Sequence, residues 1–406
     1  MASEDEIRRL LIFLGSAMVA CGQTVGDVED EVVEVGRLLG YPHLQIAATP
    51  TGVMLSLDSG EAASFESIRG PLRLDQAVEV RNIRYRLAAG QVTVIDATDQ
   101  LLGLRDRPAR YPPWAKDLGF MLVSVGIALV LQPGLPNLAF AALGGLVVAG
   151  LIRLGRRFGL VATLLPTLAA GILGCAVFAA ADAGWLEGPL RTLLPPLAVL
   201  LPGALIVTAM SELAAGDMMS GSGRLTYGVV QLMLFTLGVV AASRLLDVPA
   251  AQLMNVRIDE LGWWTAPVGV VLISGGLTLA ESPPVRLLPW IAAVLSLAFL
   301  AQTFGQQFSP ALGSFLGALA ASLGAYLVEA VKPSLPRLVV FLPAFWLLVP
   351  GSLGLLSTTQ IVLDPNHALG SIIQVAGVVG SLALGLLVGS AIAQAVRRLR
   401  RRNRPG

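Results

Sequence analysis

The chain has 406 residues, of which 55% are hydrophobic and only 14% are charged, and its mean hydropathy is +0.74. Soluble domains usually carry about 25% charged residues, so the composition excludes an ordinary soluble protein and places most of the chain in a bilayer. No basic face suggests a nucleic-acid partner. The two cysteines and two histidines lack metal-ligand spacing, so we predict neither a metal nor a cofactor.

Charge is distributed unevenly along the chain. Of the 27 acidic residues, 16 precede Pro113, and the remaining 294 residues carry only 11. Such a shift in composition indicates a boundary between a polar domain and a membrane domain. We therefore predict a small N-terminal α+β domain over residues 1–112.

This N-terminal domain should contain both helices and strands. Apolar residues three and four apart predict a helix that ends near Gly22 and a second helix from Gly26 to Leu39. The further predicted elements are strands at 44–49 and 52–57 and helices at 74–87 and 93–104. The start of the last stretch, Val94 and Ile95, also suits a strand.

The rest of the chain contains runs of about 20 apolar residues, the length that spans a bilayer as an α-helix. These runs lie near 116–132, 136–152, 160–181, 193–213, 225–246, 262–281, 286–303, 309–331, 335–357 and 368–396. The sequence therefore predicts a polytopic α-helical membrane protein with about ten transmembrane helices.

The fourth and ninth runs are interrupted in the same way, by Pro202-Gly203 and by Pro350-Gly351, which lie 148 residues apart. Proline removes a backbone donor, and in hydrocarbon such a break persists only where protein or water satisfies the freed groups. Matched breaks indicate two related halves of five helices each. Because five is odd, the second half must be inverted, as in many transporters. We predict repeats over 113–248 and 249–396, followed by a basic tail over 397–406.

Lysine and arginine indicate the orientation of the helices. Of the 17 lysines and arginines that follow residue 112, fourteen fall on the side of the predicted N-terminal domain and three fall on the opposite side. Positively charged loops are retained in the cytoplasm, so we predict a multi-pass protein of the cell membrane with both termini cytoplasmic.

Polar residues near both breaks form a candidate binding site. The candidate substrate-binding residues are Pro202, Gly203, Thr208, Ser211 and Glu212 at the first break, and Pro350, Gly351 and Ser352 at the second. Freed N–H groups and half-helix N-termini suit a carboxylate, whereas an acidic side chain suits an ammonium group and hydroxyls suit a polar substrate.

Two acids in apolar runs, Glu212 and Glu329, are candidates for proton coupling, because an intramembrane acid is costly unless it is used. Each also has a simpler interpretation. Glu212 suits an interfacial position at the end of its helix. For Glu329 the sequence favours an interfacial ion pair with Lys332, three residues later.

Several stretches, taken in order, resemble the threonine/serine exporter (ThrE) family. The matching stretches are Phe13-Leu-Gly, Cys21-Gly22-Gln23-Thr24, Val28-Glu29, Leu39-Gly40, Thr49-Pro50-Thr51 and Arg110-Tyr-Pro-Pro-Trp114. The family motif of a Pro-Gly break followed by an acid, a glycine and an arginine is similar to Pro202, Gly203, Glu212, Gly216 and Arg224. The chain departs from the family pattern at Gly22-Gln23, where an Ala-Glu pair is usual, and at Glu212, where aspartate is more frequent.

The resemblance covers nearly the whole chain and implies a secondary exporter of threonine, serine or similar amino acids rather than an enzyme. Its partners would be these substrates, protons and the lipid bilayer, with a homo-oligomer left open. The sequence contains no nucleotide-binding Gly-x4-Gly-Lys-Ser/Thr motif, which favours proton-motive force as the driving force. Two alternatives stay open, an intramembrane serine hydrolase using Ser352 with His367, and a passive small-solute channel.

Overall fold

The structure is a computed structural model that describes residues 2–253, 256–332, 339–341, 343–344 and 368–402. Its elements form two groups. Residues 2–104, here called the N-terminal α+β segment, contain a small sheet and four helices. The helical part follows from Pro113 and consists of apolar helices packed side by side.

The N-terminal α+β segment is close to the sequence prediction, except for one additional strand. Its elements are α1 (Glu4–Ala20), α2 (Val25–Leu38), β1 (Gln45–Ala48), β2 (Gly52–Ser56), β3 (Ser64–Ser67), α3 (Leu74–Ala88) and α4 (Val94–Leu102). The strands form an antiparallel sheet in the order β1-β2-β3. The sequence did not predict β3, because its only large apolar residue, Phe65, is 63% exposed and gives no apolar alternation.

Local capping explains where three of these helices begin. The side chains of Ser3, Thr24 and Thr93 each accept a hydrogen bond from a backbone N–H in the first turn of the helix that follows. Such caps satisfy donors that have no partner within the helix. The Thr93 cap decides between the two interpretations of the last stretch in favour of a helix. The apolar faces of the helices meet in a core that includes Leu10, Val32 and Ile83.

The helical part contains α5 (Pro113–Leu131), α6 (Leu135–Gly155), α7 (Gly159–Asp182), α8 (Pro189–Thr192), α9 (Leu194–Leu197), α10 (Gly203–Ala215), α11 (Met218–Leu245), α12 (Thr265–Glu281), α13 (Leu288–Gln306), α14 (Pro310–Val331) and α15 (Ala368–Arg402). Short 3₁₀ turns lie at Ala250–Leu253 and Val285–Leu287. Among the described residues, seven helices are long and apolar enough to cross a membrane, and α10 and α12 are shorter apolar helices. The predicted ninth run, 335–357, lies mostly outside the described residues, so the count of ten stays a prediction.

The fourth apolar run is not one helix. It is divided into the short helix α9 and the longer helix α10, which begins at Gly203 directly after Pro202, and the short helix α8 precedes the run. Proline lacks a backbone N–H and cannot continue the hydrogen-bond ladder, which explains the break at this position. At its other end, α10 stops at Gly216, whose φ of 99° suits glycine because it has no Cβ.

Glycines allow α5 and α12 to pack closely in antiparallel directions. A Cβ at Gly276 would lie 2.7 Å from the carbonyl oxygen of Gly119, and a Cβ at Gly269 would lie 2.7 Å from that of Gly126. Any side chain at these positions would therefore meet the backbone of the facing helix. Gly119 and Gly126 lie seven residues apart, as do Gly269 and Gly276, so each helix offers the same pair of small residues to the other.

A second packing arrangement occurs twice in the helical part. Gly238 of α11 lies against α7, and Gly385 of α15 lies against α14. In both cases a Cβ added to the glycine would meet three atoms of the neighbouring helix. These atoms are the carbonyl oxygen of one residue, the Cβ of the residue three positions later and the backbone nitrogen of the residue four positions later. The residues that supply these atoms are Thr167, Ala170 and Gly171 in α7, and Phe315, Ala318 and Leu319 in α14. The two triplets are 148 residues apart, the same offset as between the two Pro-Gly pairs.

Candidate functional site

Helix α10 carries polar side chains on one face. Thr208, Ser211 and Glu212 are spaced i, i+3 and i+4, so they project from the same side of the helix. All three line a cavity of about 390 Å³. Because α10 begins after Pro202, the helix that carries this face is separate from α9. The structure therefore brings together three of the residues that the sequence singled out near the first break.

Glu212 is deeply buried, with only 1% of its surface exposed. Its Oε2 accepts a hydrogen bond from the Ser220 hydroxyl at 2.8 Å and lies 3.1 Å from Nε of Arg224. Its Oε1 accepts a hydrogen bond from the backbone N–H of Val25 at 3.1 Å. Burial of a carboxyl group is tolerated only when such partners replace its water, and Glu212 has three of them.

The contact with Val25 joins the two parts of the fold. Val25 is the first residue of α2, and the first N–H groups of a helix lack partners within it. The positive end of the helix dipole also favours a negative charge at this position. Thr24 satisfies one of these donors, and Glu212 satisfies another from the helical part. The N-terminal α+β segment therefore contributes directly to the surroundings of Glu212.

The cavity beside α10 is lined by acids from both parts of the fold, and we call it the acidic cavity. Its acidic lining residues are Asp27, Glu29, Asp30, Glu212 and Asp217, and its described lining includes no lysine or arginine. Burial raises the pKa of the Glu29 carboxyl above its ordinary value, Asp217 and Asp30 raise it further, and the hydrogen bond from the Ala48 N–H opposes this shift. The five acidic side chains therefore favour the binding of a cation or a proton in this cavity.

A second cavity of about 680 Å³ lies on the other side of Thr208, and we call it the basic cavity. Its charged lining residues are Arg73, Arg105, Lys116, Arg156, Arg224 and Glu281. Gly22 and Thr208 line both cavities, so the two adjoin at this point. The basic cavity also contains Cys21, whose pKa burial raises to about 12. Two regions of opposite charge thus meet where α10 faces the end of α1.

Glu329, the second candidate for proton coupling, has a partner that the sequence did not predict. It forms an ion pair with Arg81 of α3, and Arg81 is also 3.4 Å from Glu31 of α2. The pairing favoured from the sequence was with Lys332 of the same helix. The structure instead shows that Glu329 links α14 to the N-terminal α+β segment. Residues one and two turns earlier on α14, Ser322 and Tyr326 among them, line the acidic cavity.

The predicted site is therefore only partly visible. Pro202 and Gly203 form the break before α10 and do not themselves line the acidic cavity. Pro350, Gly351 and Ser352 lie outside the described residues, so the predicted meeting of the two breaks stays a prediction. From the sequence, Arg224 was recognised as part of the family motif, and its contact with Glu212 was not predicted. An arginine twelve residues after an acid in apolar surroundings was the available signal.

Apolar helices of membrane-spanning length, together with a charge-lined cavity at their ends, define a multi-pass membrane protein. Residues 9–246 match the sequence model of the family described as "Putative threonine/serine exporter", and the chain belongs to this ThrE family. The chain is also similar to a protein of Mycobacterium tuberculosis named "Probable threonine/serine exporter", with 23% identity over 96% of this chain and 76% of that protein. No solved structure matches the chain. The resemblance inferred from the sequence is thus confirmed.

Proposed function

We propose that this protein is a secondary active exporter of threonine, serine and similar small amino acids, driven by the proton-motive force. Family membership supports amino-acid export. The observation that carries the proposal further is the buried Glu212 carboxylate, which shares a cavity wall with the hydroxyls of Thr208 and Ser211. A carboxylate can bind either a substrate ammonium group or a proton, and hydroxyls suit the side chain of threonine or serine.

Competition between a proton and the substrate for Glu212 would couple proton entry to amino-acid export. When ionised, Glu212 holds Arg224 and Val25 and adds to the negative charge of the acidic cavity. Protonation removes the charge that pairs with Arg224 and weakens the hydrogen bond from the start of α2. A proton and a substrate ammonium group would then bind the same carboxylate in turn, which is the requirement for antiport. In this proposal Pro202 and Gly203 create the independent helix α10 that carries the site.

The helical part supports an inverted repeat of five plus five helices. The glycine contacts of α11 on α7 recur in α15 on α14, where the contacted residues are offset by 148 positions and the glycines by 147. The helices α5 and α12, which correspond at a similar offset, run antiparallel and present equivalent glycines to each other. We propose that Pro350, Gly351 and Ser352 form the counterpart of the first break and complete the site. Two such halves can exchange conformations to give alternating access.

We further propose that the N-terminal α+β segment and both termini are cytoplasmic. The segment covers the ends of the helices where Lys116, Arg156 and Arg224 lie, and the basic tail, residues 397–406, is expected on the same side. Positive charge marks the cytoplasmic side of membrane proteins. The acidic cavity would then be the entry for an amino acid from the cytoplasm.

Glu329 is proposed as a second coupling group. Its ion pair with Arg81 joins α14 to the N-terminal α+β segment, and protonation would break that pair. The side chain of Glu329 is only 6% exposed, so the loss of its charge would leave Arg81 without this partner. Protonation of Glu212 and of Glu329 would therefore act in the same direction, by weakening the attachment of the segment to the helices.

The test is radiolabelled threonine flux in proteoliposomes under an imposed pH gradient. We expect uphill threonine movement in the wild type and loss of gradient dependence in Glu212→Gln. Glutamine retains an oxygen that can accept from Val25, so the variant removes the charge while keeping the shape. Asp182→Asn, an exposed acid at the end of α7, is the matched control and should transport like the wild type.

Three results would count against the proposal. Gradient-driven flux in Glu212→Gln equal to that of the wild type would remove this residue from coupling. Threonine movement that stops at equal concentrations under every gradient would indicate a channel. Failure of the wild type to move threonine or serine, in a preparation shown to be folded, would refute export of these substrates.

A further inference from the structure

Part of the Arg224 guanidinium is buried and has no partner among the residues that the structure describes. The side chain is 9% exposed, and its Nε lies 3.1 Å from Oε2 of Glu212. Its Nη2, by contrast, is buried and has no hydrogen-bond partner within the described part of the chain. A buried donor that stays unpaired is costly in free energy, and nearly all such groups in folded proteins find an acceptor. This donor is therefore available to an acceptor other than the described residues, such as a bound substrate.

The position of Arg224 determines the kind of acceptor. Arg224 lines the basic cavity together with four other cations and a single acid, Glu281. The summed field of such a lining attracts an anion. A guanidinium presents several N–H donors in a planar fork, so one edge can hold Glu212 while another donor binds a carboxylate. The expected acceptor is thus a small carboxylate.

A second buried polar group lies near the point where the basic cavity adjoins the acidic cavity. The hydroxyl of Ser211 has no hydrogen-bond partner among the residues the structure describes, and it lines the acidic cavity. Thr208, one turn earlier on α10, lines both cavities. Donors and acceptors for a carboxylate, a hydroxyl and an ammonium group therefore follow one another along α10 and its neighbour α11.

We propose that Arg224 binds the α-carboxylate of the transported amino acid through Nη2 while its Nε remains on Glu212. This inference rests on the proposed export of small amino acids. The substrate would lie at the junction of the two cavities, with its carboxylate in the basic cavity and its ammonium group toward the acidic cavity. Its hydroxyl would face Thr208 and Ser211. Ionised Glu212 then orients the residue that recognises the substrate, so protonation of Glu212 releases the substrate.

A free α-carboxylate becomes a requirement for recognition. Threoninol keeps the ammonium group and the side chain of threonine but carries an alcohol in place of the carboxyl group. We expect unlabelled threoninol to inhibit the flux of labelled threonine roughly 10- to 100-fold more weakly than unlabelled threonine does. This is the range for loss of one charge-assisted hydrogen bond. The same comparison in variants identifies the residue responsible.

The test uses the full-length protein in proteoliposomes and compares Arg224→Lys with Arg244→Lys. Lysine keeps the charge but lacks the planar fork whose separate edges hold Glu212 and a substrate carboxylate, so we expect KM for threonine to rise about tenfold or more. The preference for threonine over threoninol should fall to a few-fold. Arg244→Lys makes the same substitution at an exposed position of α11 that lines neither cavity, and it should keep the preference of the wild type.

A measurement on the wild type keeps the test independent of whether the variants fold. Threonine should raise the melting temperature of the purified protein, and threoninol at the same concentration should not. Equal stabilisation by both compounds, or an unchanged preference in a folded Arg224→Lys protein, would overturn the role of Arg224. These results differ from absence of threonine flux in the wild type, which would refute export itself and this inference with it.

Discussion

The backbone N–H of Val25 donates a hydrogen bond to Oε1 of Glu212 over 3.1 Å, although the two residues lie 187 positions apart in the sequence. The first turn of α2 is therefore held by the acid that we propose to exchange protons. Protonation of Glu212 would weaken this contact with the N-terminal α+β segment. The contact therefore links the segment to the proposed coupling residue and makes its attachment measurable.

Loss of the Arg81–Glu329 ion pair should loosen this attachment, and Cys21 can report it. Burial raises the pKa of Cys21 to about 12, so its thiolate is scarce and alkylation in the native protein should be slow. Breaking a buried pair costs about 3 kcal/mol. In a Cys175→Ser background, Arg81→Gln should therefore speed maleimide labelling of Cys21 about tenfold or more.

The control for this experiment is Arg8→Gln. Arg8 pairs with Asp5 and Glu61 inside the N-terminal α+β segment and does not join it to the helices. Its labelling rate should match that of the parent. Equal rates in Arg81→Gln and the parent would show that the pair with Glu329 does not hold the segment in place.

Close packing of α5 on α12 predicts a sharp difference between two adjacent glycines. A Cβ at Gly276 would lie 2.7 Å from the carbonyl oxygen of Gly119, whereas a Cβ at Gly275 meets nothing within 4 Å. Gly276→Ala should destabilise the protein by about 1–3 kcal/mol through overpacking. Gly275→Ala should be neutral or slightly stabilising, because alanine favours a helix over glycine. Melting temperatures in detergent, together with threonine flux, give the comparison, and equal behaviour of the two variants would contradict it.

The proposed repeat predicts that equivalent glycines respond alike. Gly238 and Gly385 each face a backbone carbonyl oxygen of a neighbouring helix, so alanine at either position should lower the melting temperature by a similar amount. Gly380 of α15 has open space beside it and serves as the control. A strong effect at Gly238 with none at Gly385 would argue against equivalent packing in the two halves.

Glu29 should make the attachment of the N-terminal α+β segment depend on pH. Burial, with Asp217 and Asp30 nearby, raises its pKa above the ordinary value near 4.5. A raised pKa means that the folded state binds the proton more tightly than the unfolded state. Stability from this group is therefore fully present below about pH 4.5 and is lost as the pH rises through the raised pKa.

Melting temperatures measured from about pH 4.5 to pH 7 test this sign. Glu29→Gln should flatten the part of the pH dependence that comes from this group. Glu61→Gln, an exposed acid of the same segment, should leave the dependence unchanged. A steeper decline with pH in Glu29→Gln than in the wild type would show that the sign is wrong.

Much of the fold could be predicted from the sequence because it depends on local patterns. Caps at Thr24 and Thr93 set the starts of α2 and α4, and the apolar runs between polar loops set most membrane helices. The break at Pro202 followed from the chemistry of proline alone. Strand β3 escaped prediction because an edge strand with one exposed aromatic residue carries no periodic apolar signal.

The candidate site was predictable only along α10, where spacing alone places Thr208, Ser211 and Glu212 on one face. Their identity as site residues stays a proposal. The partners of Glu212 could not be predicted in the same way. Val25, Ser220 and Arg224 come from the start of α2 and from α11, and no local rule states which helix ends meet.

The sequence by itself determined that this is a membrane protein of a particular family, because hydropathy, helix breaks and ordered motifs are properties of neighbouring residues. The tertiary structure alone decided that Glu212 is buried, that Nη2 of Arg224 has no partner among the described residues, and that Glu329 pairs with Arg81. Each of these facts depends on which distant elements pack together. A charge in the interior acquires its chemistry from such neighbours, since burial and pairing fix whether it stays ionised.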